Sequence, residues 1–493
     1  MKRFGLVKRK LKSSLRTNLK QFIKHISGIG NYAALVFFAL IISSCATYYQ
    51  RSHELMTAVY ENNLASAEKI LSDDEKWEKQ KRNLLLFYLN KGTVLWMAGK
   101  HAESNVYLQK ADYFVEDYNK SAAGTVLTML ASPKFTTYPG ENFEQIMLHY
   151  YSVMNYMELQ KLDEALIEAK RMLQKMQKIT DAYKSENKYK RDAFAHNLVG
   201  IVYDARREYN DAFIAYRNAW QVYKEDYTKQ LKTEVPFQLK KDILRTAYLT
   251  GFYDELRFFE KEFDMRHNAE ESKNAGNILV FWNNGLGPVK DELSITISIV
   301  PQGNGYVQFI NTELGIAFPI YVGEEDSKGL ADMRFFRLSL PKYVTRIPMF
   351  QSANLISKEG SYQFYLAQDI NAIAYKSLQD RMLKELSIGL TRLALKQLAV
   401  YKAKQDKEKE GLALAASVIG AISEHADTRN WQLLPYQISY TRVKLPVGNQ
   451  ELKFKAVGEN AAELEKSISI EVKPNQNQMI SIQTPNFIGY QNR

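Results

Sequence analysis

A single cysteine, Cys45, stands in 493 residues, so no intramolecular disulfide can staple this fold and it must rest on packed cores. Seven histidines (His25, His53, His101, His149, His196, His267 and His425) are scattered along the chain. None belongs to a His-Glu-x-x-His pair or stands beside clustered carboxylates, so a zinc site has no sequence support. The chain has neither the Gly-x-x-x-x-Gly-Lys-Ser/Thr loop that cradles phosphates nor the Gly-x-Ser-x-Gly elbow of acyl-enzymes. Gly285 and Gly287 form a two-glycine turn without the third glycine and following helix of a dinucleotide site. No cofactor is implied. The missing motifs count against an enzyme and do not exclude one whose catalytic residues are assembled from distant positions.

Acidic residues are missing from the first 30 positions, which hold nine Lys or Arg. Such a basic head is the first part of a secretory signal. The apolar stretch Tyr32–Ile42 is eleven residues long, about half of the roughly 20 that a spanning helix needs. It closes on Ile42-Ser43-Ser44-Cys45, which resembles the lipobox of bacterial lipoproteins. That resemblance implies cleavage after residue 44, acylation of the Cys45 thiol, and a protein tethered to a membrane. With Ala46 and no Asp after the cysteine, the family's sorting rule implies the outer membrane, with the periplasmic face favoured over the surface.

The net charge of +11 and pI near 9.1 suggest nucleic acid at first sight. Removal of the signal takes all nine of its cations and leaves 57 Lys and Arg against 55 Asp and Glu, a balance of +2. The basicity belongs to export, and no nucleic-acid partner is implied. The remaining 449 residues suffice for two or three domains.

From Tyr48 to Asn268 apolar residues recur at three and four residue spacing, with proline only at 133, 139 and 236. Gly200, Tyr203, Tyr209, Ala212, Tyr216 and Ala219 resemble the tetratricopeptide repeat, in which small residues let two helices approach and large ones fill the seam. Gly92, Leu95, Gly99, Ser104, Leu108 and Ala111 give a second match, and Val153, Tyr156, Leu162, Ala165 and Ala169 a weaker third. They stand 61 and 47 residues apart instead of 34, so an irregular array is expected, extended by Tyr49–Leu71 and Leu239–Phe263. A plain helical bundle is the competing reading. Such an array offers a concave surface for another polypeptide.

Beyond residue 270 the pattern changes to short β-rich runs at 277–282, 293–300, 306–310, 316–322 and 334–340. One long helix follows over about 367–404, with Leu383, Leu386, Leu390 and Leu393 on one face. The run Lys402–Glu410 reads as its solvated end or as a loop, and apolar Leu412–Ile422 as a buried helix too short to span a membrane. Strands at 436–444, 451–456, 467–472 and 479–483 are expected to complete the same sheet system. The predicted fold class is α+β. A signal occupies 1–44, a tetratricopeptide-like region 45–270, and a mixed β-sheet region 271–493 with helices at about 367–423.

Two segments, Gly285-Leu286-Gly287-Pro288-Val289-Lys290-Asp291-Glu292 and Ala426-Asp427-Thr428-Arg429-Asn430-Trp431-Gln432-Leu433-Leu434-Pro435 with Arg442, Leu445, Pro446 and Gly448, resemble an uncharacterised family of bacterial lipoproteins. The resemblance implies architecture and envelope location, and it brings no activity. Asp427 and Arg429 can fix a chain corner through charge-assisted hydrogen bonds, with Trp431 as an apolar anchor. Ligand or partner binding at Asp427, Arg429, Trp431 and Lys290 is the competing reading. Lys290 beside the glycine turn reads chiefly as an exposed side chain. Arg381, Lys384, Arg392 and Lys396 share a side of the long helix and read as a solvated face, or else as a patch for anionic lipid or an acidic partner. The functional expectation is a lipid-anchored envelope scaffold holding an unidentified envelope protein. Its rival is an envelope enzyme or glycan-binding module with a site in the C-terminal region.

Intact mass spectrometry of the native protein should show residues 1–44 removed and acyl chains on Cys45. A retained N-terminus with a bare thiol would refute the anchor.

Overall fold

The structure is a computed structural model that describes residues 52–121, 136–181, 189, 191–268, 275–313, 315–331, 335–404, 425–474 and 476–488. Cys45, the signal, the Leu412–Ile422 segment and positions 405–410 of the charged run lie outside the described residues. Two compact units divide the chain, Met1–Ala58 and Val59–Arg493. In the first, residues 52–58 are described and helical, with Thr57 Oγ1 donating to the His53 carbonyl at 3.0 Å. The second holds the helix pairs and all of the described strands.

In this second unit, short helices α1 (Leu64–Ile70) and α2 (Asp74–Glu78) precede four antiparallel pairs. These are α3 (Leu84–Met97) with α4 (His101–Ser121), and α5 (Asn142–Glu158) with α6 (Leu162–Asp181). Next come α7 (Ala193–Ala205) with α8 (Tyr209–Val222), and α9 (Phe237–Thr250) with α10 (Tyr253–Phe263). All four turns use one device. The first helix ends on a left-handed residue, Gly99, Gln160, Arg207 or Gly251, with φ between 57° and 75°. The next N–H then reaches the carbonyl five residues back: Lys100 to Leu95, Lys161 to Tyr156, Glu208 to Tyr203 and Phe252 to Ala247, at 2.8–2.9 Å.

The small residues of the repeat matches sit where helices touch. A Cβ on Gly92 would lie 2.8 Å from the Leu108 side chain, and Ser104 Oγ donates to the Gly92 carbonyl at 2.7 Å. Gly200 faces the Tyr216 ring in the same way, and Ala111, Ala165, Ala169, Ala212 and Ala219 are fully buried. The three matches therefore mark real helix pairs. The chain is α+β, with tetratricopeptide-like pairs in its N-terminal region and sheets in its C-terminal region.

Twelve described strands form three four-stranded sheets. The central sheet has the order β12-β1-β9-β8, from Asn477–Thr484, Ala275–Asn284, Gln437–Pro446 and Tyr365–Asp369. Here β1 runs parallel to β12 and antiparallel to β9. The second sheet, β11-β10-β6-β7, comprises Glu463–Val472, Gly448–Gly458, Phe350–Ile356 and Ser361–Gln363. Ile278, Val280, Trp282, Val443 and Ile482 of the central sheet meet Leu355, Leu452, Phe454 and Ala456 of the second in one apolar core. The alternate positions of β1 turn the other way: Asn283 Oδ1 accepts from Tyr150 Oη of α5 at 3.0 Å, and Phe281 stacks on Tyr440 at 5.7 Å. The central sheet is thus covered on both faces, which explains why β1 reads as an unbroken apolar run.

The third sheet, β4-β3-β2-β5, is built from Ile316–Tyr321, Tyr306–Asn311, Val289–Gly303 and Phe335–Val344. Its inner face packs on Leu330 of α11 (Glu324–Ala331) and on Leu386, Leu390, Leu393 and Ala394 of α12 (Ile370–Lys404). Three expectations change. The later strands do not complete one sheet system with all the earlier ones, because β2 to β5 pair only among themselves. Strands β6, β7 and β8 have no counterpart in the sequence pattern, and β8 takes the start assigned to the long helix. That helix begins at Ile370, where Asp369 Oδ1 accepts from the Ala372 N–H at 2.7 Å as an N-cap. Leu383 is 81% exposed. The buried stripe runs instead through Met382, one turn before Leu386.

Gly200→Ala is expected to cost about 1–3 kcal/mol in chemical denaturation. The Tyr216 ring cannot swing aside without losing the bond from its hydroxyl to Asp204 at 3.1 Å. Gly92→Ala meets only a flexible leucine and should cost less.

Candidate functional site

The glycine-turn segment at 285–292 and the loop at 426–435 meet in space. The Gly287 N–H donates to the Leu434 carbonyl at 2.7 Å, the Lys290 N–H to Asn430 Oδ1 at 3.1 Å, and Asn430 Nδ2 to the Pro288 carbonyl at 2.8 Å. Both lean on the start of α5. Glu144 lies three residues beyond Glu141 and accepts from the Glu141 N–H at 2.9 Å, from Tyr138 Oη at 2.6 Å and from the Trp431 N–H at 2.6 Å.

Asp427 holds Arg429 through two parallel bonds of 2.8 Å, and Arg429 Nη1 donates to the Arg82 carbonyl at 3.0 Å and to Asn83 Oδ1 at 3.2 Å. Trp431 is buried, its ring 5.4 Å from Tyr151. Arg429 and Trp431 therefore sit in the wall that joins the loop to the helices. Lys290 is buried, contrary to the exposed position read from the sequence, and its ammonium pairs with Glu141. Glu141 also receives Arg381 of α12, whose Nη2 donates to Oε1 at 2.8 Å. Burial alone would raise the Glu141 carboxyl, but Lys290 and Arg381 overcome it and bring it down to about 2. Glu144 moves the other way, raised by burial and by the charge of Glu141 beside it.

These residues border a cavity of about 210 Å³. Lys290 and Glu141 form its floor, Arg381, Glu385, Gly389 and Arg392 come from α12, and Ser339 to Pro341 from β5. Tyr118, Thr136, Thr137 and Tyr138 close the helical side, and His425 to Asp427 the loop side. Glu292 pins that loop, accepting from Ser339 Oγ at 2.9 Å and from the Ala426 N–H at 3.0 Å. Of the predicted site residues, Lys290 and Asp427 line the cavity, while Arg429 and Trp431 stand behind it. Arg381 and Arg392 line it too and do not form the solvated face expected of them, whereas Lys384 is exposed. The sequence reading missed Glu141, although Pro139-Gly140-Glu141 with Glu144 three residues later carries the signature of a helix start.

A second buried ionic cluster ties the helices to the central sheet. Arg442 of β9 donates to Asp204 Oδ2 of α7 at 2.7 Å and to Asp242 Oδ1 of α9 at 2.8 Å, and Arg245 joins both acids. Burial works against the Asp204 charge, yet Arg245 and Arg442 hold its carboxyl below the ordinary range. Among the described residues no group of His, Cys, Asp or Glu is placed to hold a metal ion, and no helix is long and apolar enough to cross a membrane.

No family model matches the chain, and no curated protein matches it. Among solved structures, a tetratricopeptide repeat protein from Parabacteroides merdae is 15% identical over 44% of this chain and 68% of its own, with a TM-score of 0.29. BtubC from P. vanneervenii is 12% identical over 49% of this chain and 90% of its own, with a TM-score of 0.32. MamA from Desulfovibrio magneticus RS-1 is 12% identical over 44% and 90%, with a TM-score of 0.27.

Glu141→Gln leaves the buried Lys290 and the half-buried Arg381 facing a neutral amide and should cost about 3 kcal/mol at pH 7. Because the folded carboxyl lies below its ordinary 4.5, its contribution is complete above that pH and is lost as pH falls toward about 2. Urea denaturation at stepped pH should therefore show the gap between wild type and variant closing only below about pH 4.5.

Proposed function

We propose that the protein is a lipid-anchored envelope scaffold that holds another envelope protein on its helical array, and that it is a binding protein with no reaction of its own. In this reading lipid on Cys45 tethers the body to the outer membrane, facing the periplasm, and the helical and mixed β regions fold into a platform. The observation that carries it is the division of the array into a covered face and an open one. First helices of three of the four pairs turn toward the chain's own sheet: Tyr150 of α5 bonds Asn283, Asn197 of α7 accepts from Tyr440 at 3.4 Å, and Asp242 of α9 accepts from Arg442. Second helices keep large apolar side chains in solvent, with Tyr113 of α4 65% exposed, Ile167 of α6 55% and Ile214 of α8 38%.

Repeat arrays bind polypeptides along an extended surface. With the first-helix face occupied in cis, the surface left for a partner is that of the second helices. Apolar residues repeated there supply the contact area on which interfaces depend.

A photo-crosslinking residue placed at Tyr113 or Ile167 should capture one defined envelope protein in intact cells. The double variant Tyr113→Lys, Ile167→Lys should lose that partner while keeping its melting temperature. Absence of any discrete adduct at either position would remove the scaffold reading.

A further inference from the structure

We propose that the outward face of the third sheet is a self-association surface, which stacks on the same face of a second copy of this chain. The other face of that sheet packs on α11 and α12, so the outward positions meet solvent and would ordinarily be polar or charged. These positions run from Ser294 to Val300 on β2, Tyr306 to Ile310 on β3, Ala317 to Tyr321 on β4 and Phe335 to Ser339 on β5, and Arg337 is the only charged side chain among them. Phe335 is 67% exposed, Tyr321 65% and Tyr306 46%, and the two tyrosine rings lie 5.0 Å apart. At about 200 Å² per aromatic side chain, the three leave about 350 Å² in water, within the range of the largest apolar patches that single proteins expose, which are often functional.

Two observations commit the occupant to a second copy. The first is the order of side chains in one row across the sheet. Register pairs Ala317 with Ile310, Ile310 with Ser298 and Ser298 with Phe335, so the row reads small, large, small, large from β4 to β5. A twofold axis parallel to the strands lays β4 of one copy over β5 of the other and reverses this row. Phe335 then meets Ala317 and Ile310 meets Ser298 in both halves of the interface, and each large side chain fills the space beside a small one, as close packing requires. The second observation is charge. In the same arrangement the two Arg337 side chains stand on opposite edges, about 14 Å apart at about 4.8 Å per strand, beyond the screening length of about 8 Å in physiological salt. Pairing through the sheet edge is opposed at β4, where Pro319 has no N–H to give a ladder. Four strands by about six residues make a face of about 19 by 20 Å, at the small end of specific interfaces, so the dimer is reversible and not obligate. This surface is separate from the second helices, and the proposal does not depend on the lipid anchor.

The test is disulfide trapping of the full chain in intact cells. In the double variant Ala317→Cys, Phe335→Cys the two thiols of one chain stand three strands apart, about 14 Å, too far for a bond that needs Cα atoms within about 7 Å. A disulfide between these positions can therefore form only between copies. Oxidation should give a covalent dimer from the double variant and from the two single variants expressed together, and none from either single variant alone. Sedimentation of the detergent-solubilised wild-type chain should show a monomer–dimer equilibrium. Phe335→Glu, at an exposed position, should weaken that equilibrium at least about tenfold with the circular dichroism spectrum unchanged. A strictly monomeric wild type, a dimer as tight in Phe335→Glu as in the wild type, dimers trapped equally well from a single variant, or an adduct to a different protein in place of the second copy would each overturn the proposal.

Discussion

The central sheet has no solvent face, and the rest of the second unit is arranged around that constraint. One side meets the second sheet through an apolar core of the usual kind. The other must meet a helical array, and there the contacts are largely polar and partly ionic: Arg442 against Asp204 and Asp242, Tyr440 against Asn197, Asn283 against Tyr150, and Gln368 Nε2 against Asp192 at 3.1 Å. An apolar seam of the same area would bury as well and could slide. A guanidinium buried in it would not tolerate a slide, because an unpaired buried charge costs several kcal/mol. Each ion pair along this seam is satisfied in one register of helix on strand only. The array and the sheets therefore behave as one body, which agrees with their falling in a single compact unit.

The same logic repeats at the cavity. Lys290 comes from β2, Glu141 from the lead into α5 and Arg381 from α12, so three elements far apart in sequence are held by one carboxylate. Neutralising it would release two cations into a low-dielectric wall. What differs from the Arg442 cluster is the open space beside the ions. Around Arg442 the volume is filled by Tyr216, Tyr440 and the helices, whereas beside Lys290 the small residues Gly140 and Gly389 line about 210 Å³ of cavity.

Legibility in the sequence followed the length scale of each interaction. Helix pairs were readable because a close approach requires Gly92, Gly200 and the alanines at fixed spacing, a local signature. Two of the four turns were announced by glycine, while Gln160 and Arg207 hold the same left-handed conformation without one, and nothing nearby in sequence marks them. Strand β1 was legible as an apolar run, and β6 to β8 were not, since Phe350–Ile356 breaks strict alternation at Gln351-Ser352 and at Leu355-Ile356, and Ser361–Gln363 is three residues long. Met382 and not Leu383 joins the buried stripe of α12 because the packing centre of a helix face is fixed by the neighbouring sheet, which hydrophobicity alone does not reveal. Lys290 and Arg381 were each visible as charges, but their common partner Glu141 lies 149 and 240 residues away, a pairing that only the folded topology creates.

That topology also fixes which face of the helical array is open to solvent. Here strands β1, β9 and β12 approach that face, bonding to α5, α7 and α9 through side chains that a peptide ligand would otherwise have to supply: Tyr440, Arg442 and Asn477. Displacing the sheet would expose Asp204 and Asp242 with Arg245 as their remaining cation, and would also open the apolar core behind β1. A competing peptide would have to offset both, so exchange on this face is disfavoured. The surfaces already in solvent are those of the second helices, where Tyr113, Ile167 and Ile214 are exposed, and they can be reached without moving the central sheet.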